Sequence, residues 1–340
     1  MSGAVAAREH VHAFDVMRTV AAAAVVAIHV IGPYRAQIGA IPDVEWASAI
    51  AVNGALRWCV PVFIMITGAL LLADPRPFDA AYFVRRRVAK VLVPFVAWSL
   101  VYALVSGVAP DGFDAAIMRD VLFASPTHET YYHLGFFYYF IPLYLLVPPL
   151  RALVQRGPRV AAWVLLGLWL GCTAAYLTGL RGVWSIDLVM FGGYLLLGWT
   201  LWRVGTPPLA LLAIAAVAAV GAGDVAVIRD SFAAGRYDIG SWFSYKTINT
   251  VVVAAFVFVL ALRLAPELSA RARAAFAFVG RHSLGIYLIH PLFLWPVRAW
   301  DLYGGHPLVV IPLYTVAAGA LALGASMLLS RWRATAWLVP

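Results

Sequence analysis

Apolar residues run along this chain in long stretches separated by short polar loops. About 17–25 such residues in a row suffice for an α-helix to cross a hydrocarbon layer about 30 Å thick. Ten runs of that kind fall at approximately 14–34, 47–72, 82–107, 131–150, 160–178, 183–203, 207–227, 242–263, 276–298 and 307–330. The ninth is the most interrupted, since it contains Arg281, His282, His290, Pro291 and Pro296. One connection is longer than the rest, residues 108–130, with four acids, one arginine and His128. The pattern predicts an all-α polytopic membrane protein of about ten transmembrane helices, forming one integral membrane domain over residues 1–340 with no soluble domain.

Charge orients the bundle. With the N-terminus inside, one side collects Arg8, Arg76, Arg85, Arg86, Arg87, Lys90, Arg151, Arg156, Arg159, Arg203, Arg263, Arg271, Arg273, Arg281, Arg331 and Arg333. The opposite side collects Asp43, Glu45, Asp111, Asp114, Asp120, Glu129, Asp230, Asp238 and Asp301. By the positive-inside rule both termini are expected in the cytoplasm. Asp15 and Arg18 interrupt the first apolar run and no small-residue cleavage site follows it, so a retained first span is expected rather than a cleaved signal.

Composition adds exclusions. The 340 residues are 63% hydrophobic and 12% charged, with a mean hydropathy of +0.86, which is not the balance of a soluble globule. The net charge of +9 would suit nucleic acid, but the basic residues sit in short loops, where topology explains them, and no nucleic-acid partner is expected. Two cysteines, Cys59 and Cys172, lie in apolar runs and offer neither a disulfide framework nor a zinc site. No metal is expected.

The first span carries unusual chemistry for its setting. Asp15, Arg18 and His29 fall within FDVMRTVAAAAVVAIHVI. At about 100° per residue, Arg18 and His29 return to within roughly 20° of each other, separated by roughly 16 Å along the axis, and Asp15 shares their stripe. Ionisable groups inside a bilayer cost roughly 2.5–3.5 kcal/mol each, which makes them functional candidates. The alternative is an Asp15–Arg18 pair at the interface, with His29 bonded to a neighbouring helix.

Other stretches join it. Arg86, Arg87 and Lys90 recur at helical spacing where the third span begins, and anchoring alone does not explain a cationic face running into the span. Such a face suits an anion, because arginine grips phosphate bidentately and lysine acts as a point charge. Pro94 should kink the same helix. At the start of the fourth span an aromatic belt accounts for Tyr132, Tyr138, Tyr139 and Tyr144, but not for His133. His290, in RHSLGIYLIHP, is open to two readings: a satisfied buried imidazole or part of a site.

Taken together, these blocks resemble the membrane-bound acyltransferase family 3. The matching blocks are Asp-x-x-Arg with a histidine eleven residues on (15–29), PVFIMITGALLL (61–72) and the basic start of the third span (86–94). HL-x-F with its following tyrosine and proline-ended span (133–149) and RHSLGIYLIHP (281–291) complete the set. Gly135 stands where an aromatic is usual and Lys90 where arginine is common. The resemblance implies ten spans and transfer of an acyl group, acetyl being the expected one, from cytoplasmic acyl-CoA to a hydroxyl of a cell-surface or lipid-linked glycan. It implies His29 as general base or, as an alternative, a transient acyl carrier, with Asp15 as a second catalytic group. Arg18, Arg86, Arg87 and Lys90 would hold acyl-CoA, and His133, Tyr139 and His290 would line the acceptor pocket. A bacterial cytoplasmic membrane is the expected location. The rival reading is a transporter or flippase in which the Arg/His stripe lines an ion or substrate path.

Overall fold

A computed structural model describes residues 11–157 and 159–340; Arg8 of the basic side lies outside the described residues. The apolar runs fold as helices throughout. In chain order they are α1 (His12–Ile31), α2 (Asp43–Ala55), α3 (Cys59–Leu72), α4 (Ala80–Phe83), α5 (Ala89–Ser106), α6 (Ala115–Ala124), α7 (Gly135–Leu143) and α8 (Val147–Arg156). They continue as α9 (Arg159–Leu177), α10 (Asp187–Arg203), α11 (Leu209–Ala234), α12 (Ile248–Leu264), α13 (Ala270–Arg281), α14 (Ser283–Ala299) and α15 (Pro307–Ser330). Among the described residues, eight helical stretches are long and apolar enough to cross a membrane. The remaining two expected spans are α10 and α14, each of 17 residues, or about 25 Å at 1.5 Å per residue. This is the all-α polytopic membrane architecture the hydrophobic pattern predicts.

Departures from the expected spans have local causes. The run 47–72 is two helices, α2 and α3, broken at 56–58. The run 276–298 is likewise divided by His282 between α13 and α14, and α13 reaches back to Ala270. A π-helical turn, Val84–Val88, joins α4 to α5. The 108–130 connection carries a short antiparallel hairpin, β1 (Val108–Ala109) with β2 (Gly112–Phe113), and then α6. Asp114 caps α6 by accepting from the amides of Ala116 and Ile117.

The alanine-rich first span sits at the centre. Small side chains let neighbours approach, and α1 packs against α3, α12, α13, α14 and α15, with Met17, Ala21, Val26 and Val30 fully buried. The tightest pair is α3 with α10. A Cβ at Gly68 would fall on the Leu195 backbone, and one at Gly198 on the Met65 backbone, so two glycines let these helices meet main chain to main chain. Outer helices turn Leu168, Ile214, Val217 and Val316 outward as an apolar surface. With α1 locked in the middle, Arg18 and His29 both point into the interior of the bundle.

Candidate active site

Arg18 lines a cavity of about 330 Å³ whose walls come from six helices and the π-helical turn. Arg86 and Arg87 project from that turn, Lys90 from the first turn of α5, and Arg281 from the end of α13. Five cations therefore share one space, backed by Phe63, Ile66, Leu70, Phe137, Phe140 and Tyr144. The extra residue of a π turn is a recurrent functional irregularity, and here Arg86, Arg87 and Lys90 face the cavity together. Arg18 is pinned by Asp15 at 3.7 Å. Among the described residues the other four form no ion pair with a carboxylate, so the cavity carries a large positive excess.

Beside it lies a second cavity of about 200 Å³, which shares Arg87 and is lined by Phe78, Tyr82, Phe83 and Arg151. Asp74 accepts from Arg76 Nε at 3.0 Å and Nη2 at 2.6 Å. Those bonds push the Arg76 pKa further above its ordinary value. The pair is a neutralised wall, which leaves Arg87 and Arg151 as the cations facing this space.

His29 opens onto a third, smaller cavity of about 100 Å³ with Cys59, Tyr132, His133, Phe136, Tyr139, Tyr245 and Tyr287. Its ring meets that of His290, 261 residues away in sequence, with Nδ1 of His29 and Nε2 of His290 2.7 Å apart and the ring planes 3° from parallel. His290 is fully buried. Its Nδ1 is 3.0 Å from the carbonyl of Ile286.

That chain of contacts fixes the tautomers of neutral rings. A carbonyl can only accept, so His290 Nδ1 carries its proton and its Nε2 is left with a lone pair. That lone pair must accept from His29 Nδ1–H. The proton-free nitrogen of His29 is therefore Nε2, the one not committed to His290.

His133 is 2% exposed and neither ring nitrogen has a protein hydrogen-bond partner. Its carbonyl accepts from the Tyr287 hydroxyl, while its ring packs edge-on against Tyr102 at 4.6 Å. Tyr139 is stacked on Phe191 at 4.0 Å. Among the described residues no group of three His, Cys, Asp or Glu is arranged to hold a metal ion.

Phe136 and Tyr287 line both the cationic cavity and the histidine cavity. Two rings are the partition between them. Arg18 and His29, eleven residues apart on α1, occupy the two sides of it, roughly 16 Å apart along the helix axis. Arg18, Arg86, Arg87 and Lys90 are brought together, and so are His29, His133, Tyr139 and His290. Asp15 lines neither cavity and stands by Arg18, about 21 Å below His29 at 1.5 Å per residue.

A model of an acyltransferase domain matches residues 11–331. The chain belongs to acyltransferase family 3. No curated protein and no solved structure matches it. As a membrane acyltransferase it acts on an acyl donor and an acceptor.

Several lining residues of this acyltransferase do not stand out in its sequence. Arg281 and Tyr287 sit in the RHSLGIYLIHP block but at no diagnostic spacing from the span-3 cations. Arg298 is the strongest omission, because its Nη2 donates to the His29 carbonyl at 2.6 Å. Its guanidinium also lies 4.2 Å over the Tyr132 ring. The available signal was a cation within an apolar helix, the same signal that flags Arg18, here in the last turn of α14.

Proposed function

We propose that this acyltransferase takes its acyl group, acetyl in the first instance, from acyl-CoA bound in the cationic cavity. It passes the group to a hydroxyl of a cell-surface or lipid-linked glycan in the His29 cavity. The observation that carries the reading is the pairing of a space lined by five cations with a space holding a histidine whose Nδ1 is engaged by His290, divided by two aromatic rings. Arg18, Arg86, Arg87, Lys90 and Arg281 would meet the phosphates, with the adenosine end reaching across Arg87 into the neighbouring aromatic cavity. The pantetheine arm would run along the partition and present its thioester beyond Phe136 and Tyr287.

The chemistry then balances without a further reactant. His29 Nε2 removes the proton of the acceptor hydroxyl as its oxygen attacks the thioester carbonyl. The carbon–sulfur bond breaks, and the departing thiolate takes the proton back from the imidazolium. His290 holds the His29 ring through Nδ1 and offers its lone pair to the imidazolium, as an orienting group does in hydrolase triads. Asp15 is a positioning residue for Arg18 in this scheme.

Two expected results follow. Phe136 is stacked on Phe140 at 4.6 Å and is the partition's wholly apolar half, so Phe136→Ala should join the cavities. Acetyl-CoA hydrolysis without acceptor should rise several-fold, read as free thiol; an unchanged rate would remove the partition from the mechanism. The donor side is proposed to be cytoplasmic, from the positive-inside pattern. An impermeant thiol reagent should then label a cysteine at 115 or 234 from outside, and one at 156 or 270 only from the cytoplasm. The reverse labelling would invert the orientation and the donor side together.

A further inference from the structure

Three arginines gather at the His29 end of the bundle from three different elements. Arg35 lies in the 3₁₀ turn Gly32–Ala36 after α1, Arg57 in the break between α2 and α3, and Arg298 in the last turn of α14. Each is held by neutral groups alone. Arg35 Nη2 donates to Asn53 Oδ1 at 3.5 Å. Arg57 Nε donates to the Phe243 carbonyl at 2.6 Å, and its Nη1 to the Tyr245 hydroxyl at 3.4 Å. Arg298 donates to the His29 carbonyl.

Among the described residues none of the three has a carboxylate partner. The Nε groups of Arg35 and Arg298 are buried without any hydrogen bond. Among the described residues Asp224, whose Oδ1 is set against Gly54, and Asp301, three residues after Arg298, are in no ion pair. Lys246, by contrast, is paired with Asp187. Arg35 stands within electrostatic reach of both Arg57 and Arg298.

Like charges gathered in a partly desolvated space destabilise it unless an anion joins them. A buried donor without an acceptor calls for the same completion. The cluster also touches the reaction space. Arg298 lies 4.2 Å over Tyr132 and Arg57 4.7 Å over Tyr245, and both tyrosines line the His29 cavity. A molecule presenting a hydroxyl to His29 would place its neighbouring group among these guanidinium forks.

We propose that Arg35, Arg57 and Arg298 form an anion subsite for the acceptor, so that the glycan acylated here bears an anionic oxygen group close to the reacting hydroxyl. This rests on the acyl-transfer reading above and narrows its acceptor class. A planar fork suits either a sugar carboxylate or the phosphate of a lipid-linked sugar.

Calorimetry on the detergent-purified full chain separates these sources. The probes are a glucuronate-containing disaccharide with its methyl ester, and farnesyl phosphate glucose with the phosphate-free farnesyl glucoside. At least one anionic probe should bind about tenfold or more tightly than its neutral counterpart, as expected for a charge-assisted bond. Preference within the first pair names a carboxylate, and within the second a phosphate. Arg35→Gln and Arg57→Gln should each reduce that preference by about tenfold, and Arg35→Lys and Arg57→Lys, which keep the charge, should restore part of it. Equal binding within both pairs, or a preference unchanged in both glutamine variants, overturns the subsite. Acetyl-CoA is titrated into the wild type separately: failure there counts against the donor cavity and leaves the anion preference standing as its own result.

Discussion

His29→Gln is expected to lower acyl transfer by about 10²–10⁴-fold, the range a positioned general base contributes, while acetyl-CoA still binds with wild-type affinity. Glutamine can still donate a hydrogen bond to His290 Nε2, so the interior contact at 2.7 Å has a substitute. It has no nitrogen able to take a proton at neutral pH. His29→Ala should be equally inactive. His290→Gln should fall between these variants and wild type. The amide oxygen it introduces could accept from His29 Nδ1–H, yet it could not fix the ring as the Ile286 carbonyl fixes it through His290. The measurement is label transfer from acetyl-CoA into glycan, set beside acetyl-CoA calorimetry on the same preparations. Turnover close to wild type in His29→Gln would end the assignment of the base.

The second large effect concerns the donor. Arg86 and Arg87 face one cavity and have no ion pair among the described residues. A hydrogen bond to a charged group contributes about 1.5–3 kcal/mol, so Arg87→Ala should weaken acetyl-CoA binding about ten- to a hundredfold at about 1.4 kcal/mol per tenfold. Removing both side chains should weaken it about a hundredfold or more. Arg87→Lys should recover only part, since the ammonium keeps the charge and loses the fork. If these residues were only topological anchors, Arg→Lys would be silent, and Arg→Ala would lower expression without altering affinity.

The parts of this site that a reader of the sequence can find are those set by one helix. Helical arithmetic puts Arg18 and His29 on one face of α1, and the structure opens a cavity at each. The spacing of Arg86, Arg87 and Lys90 likewise predicts one cationic face. A π turn precedes Lys90 instead of a regular helix, and the three residues still converge. What spacing cannot show is which faces of distant helices meet. His290 pairs with His29 because α14 packs on α1, a consequence of packing across 261 residues with no local signature. For the same reason the sequence leaves His290 between two readings; its Nδ1 meets the Ile286 carbonyl and its Nε2 meets His29. Asp15 shows the reverse limit. It shares the stripe with His29, but three residues from Arg18 it finds its ion partner there, and the stripe's length keeps it from the histidine. The divisions at 56–58 and at His282 fall beside Gly54 and Arg57 and beside Gly280 and Arg281, but a polar residue or glycine inside a bilayer-length apolar run does not by itself mark a helix break.

Membership of acyltransferase family 3 displaces the transporter reading of the Arg/His stripe. The interior agrees chemically with that assignment: an ion path would need a continuous polar lining, whereas Phe136 and Tyr287 stand between the cationic and histidine cavities. A partition of that kind suits an arm that must carry a thioester past it while water stays back.

The most direct test of the central claim uses membrane vesicles of both orientations from cells expressing the wild-type chain or His29→Gln, supplied externally with acetyl-CoA labelled in its acetyl group. Label recovered in glycan is the readout. Inside-out wild-type vesicles, which on the proposed orientation present the cationic cavity to the donor, should incorporate it; sealed right-side-out vesicles and His29→Gln vesicles of either orientation should not. Equal incorporation from both orientations, or incorporation by His29→Gln at the wild-type level, would contradict an acyl group delivered from a cytoplasmic CoA thioester to a hydroxyl activated by His29.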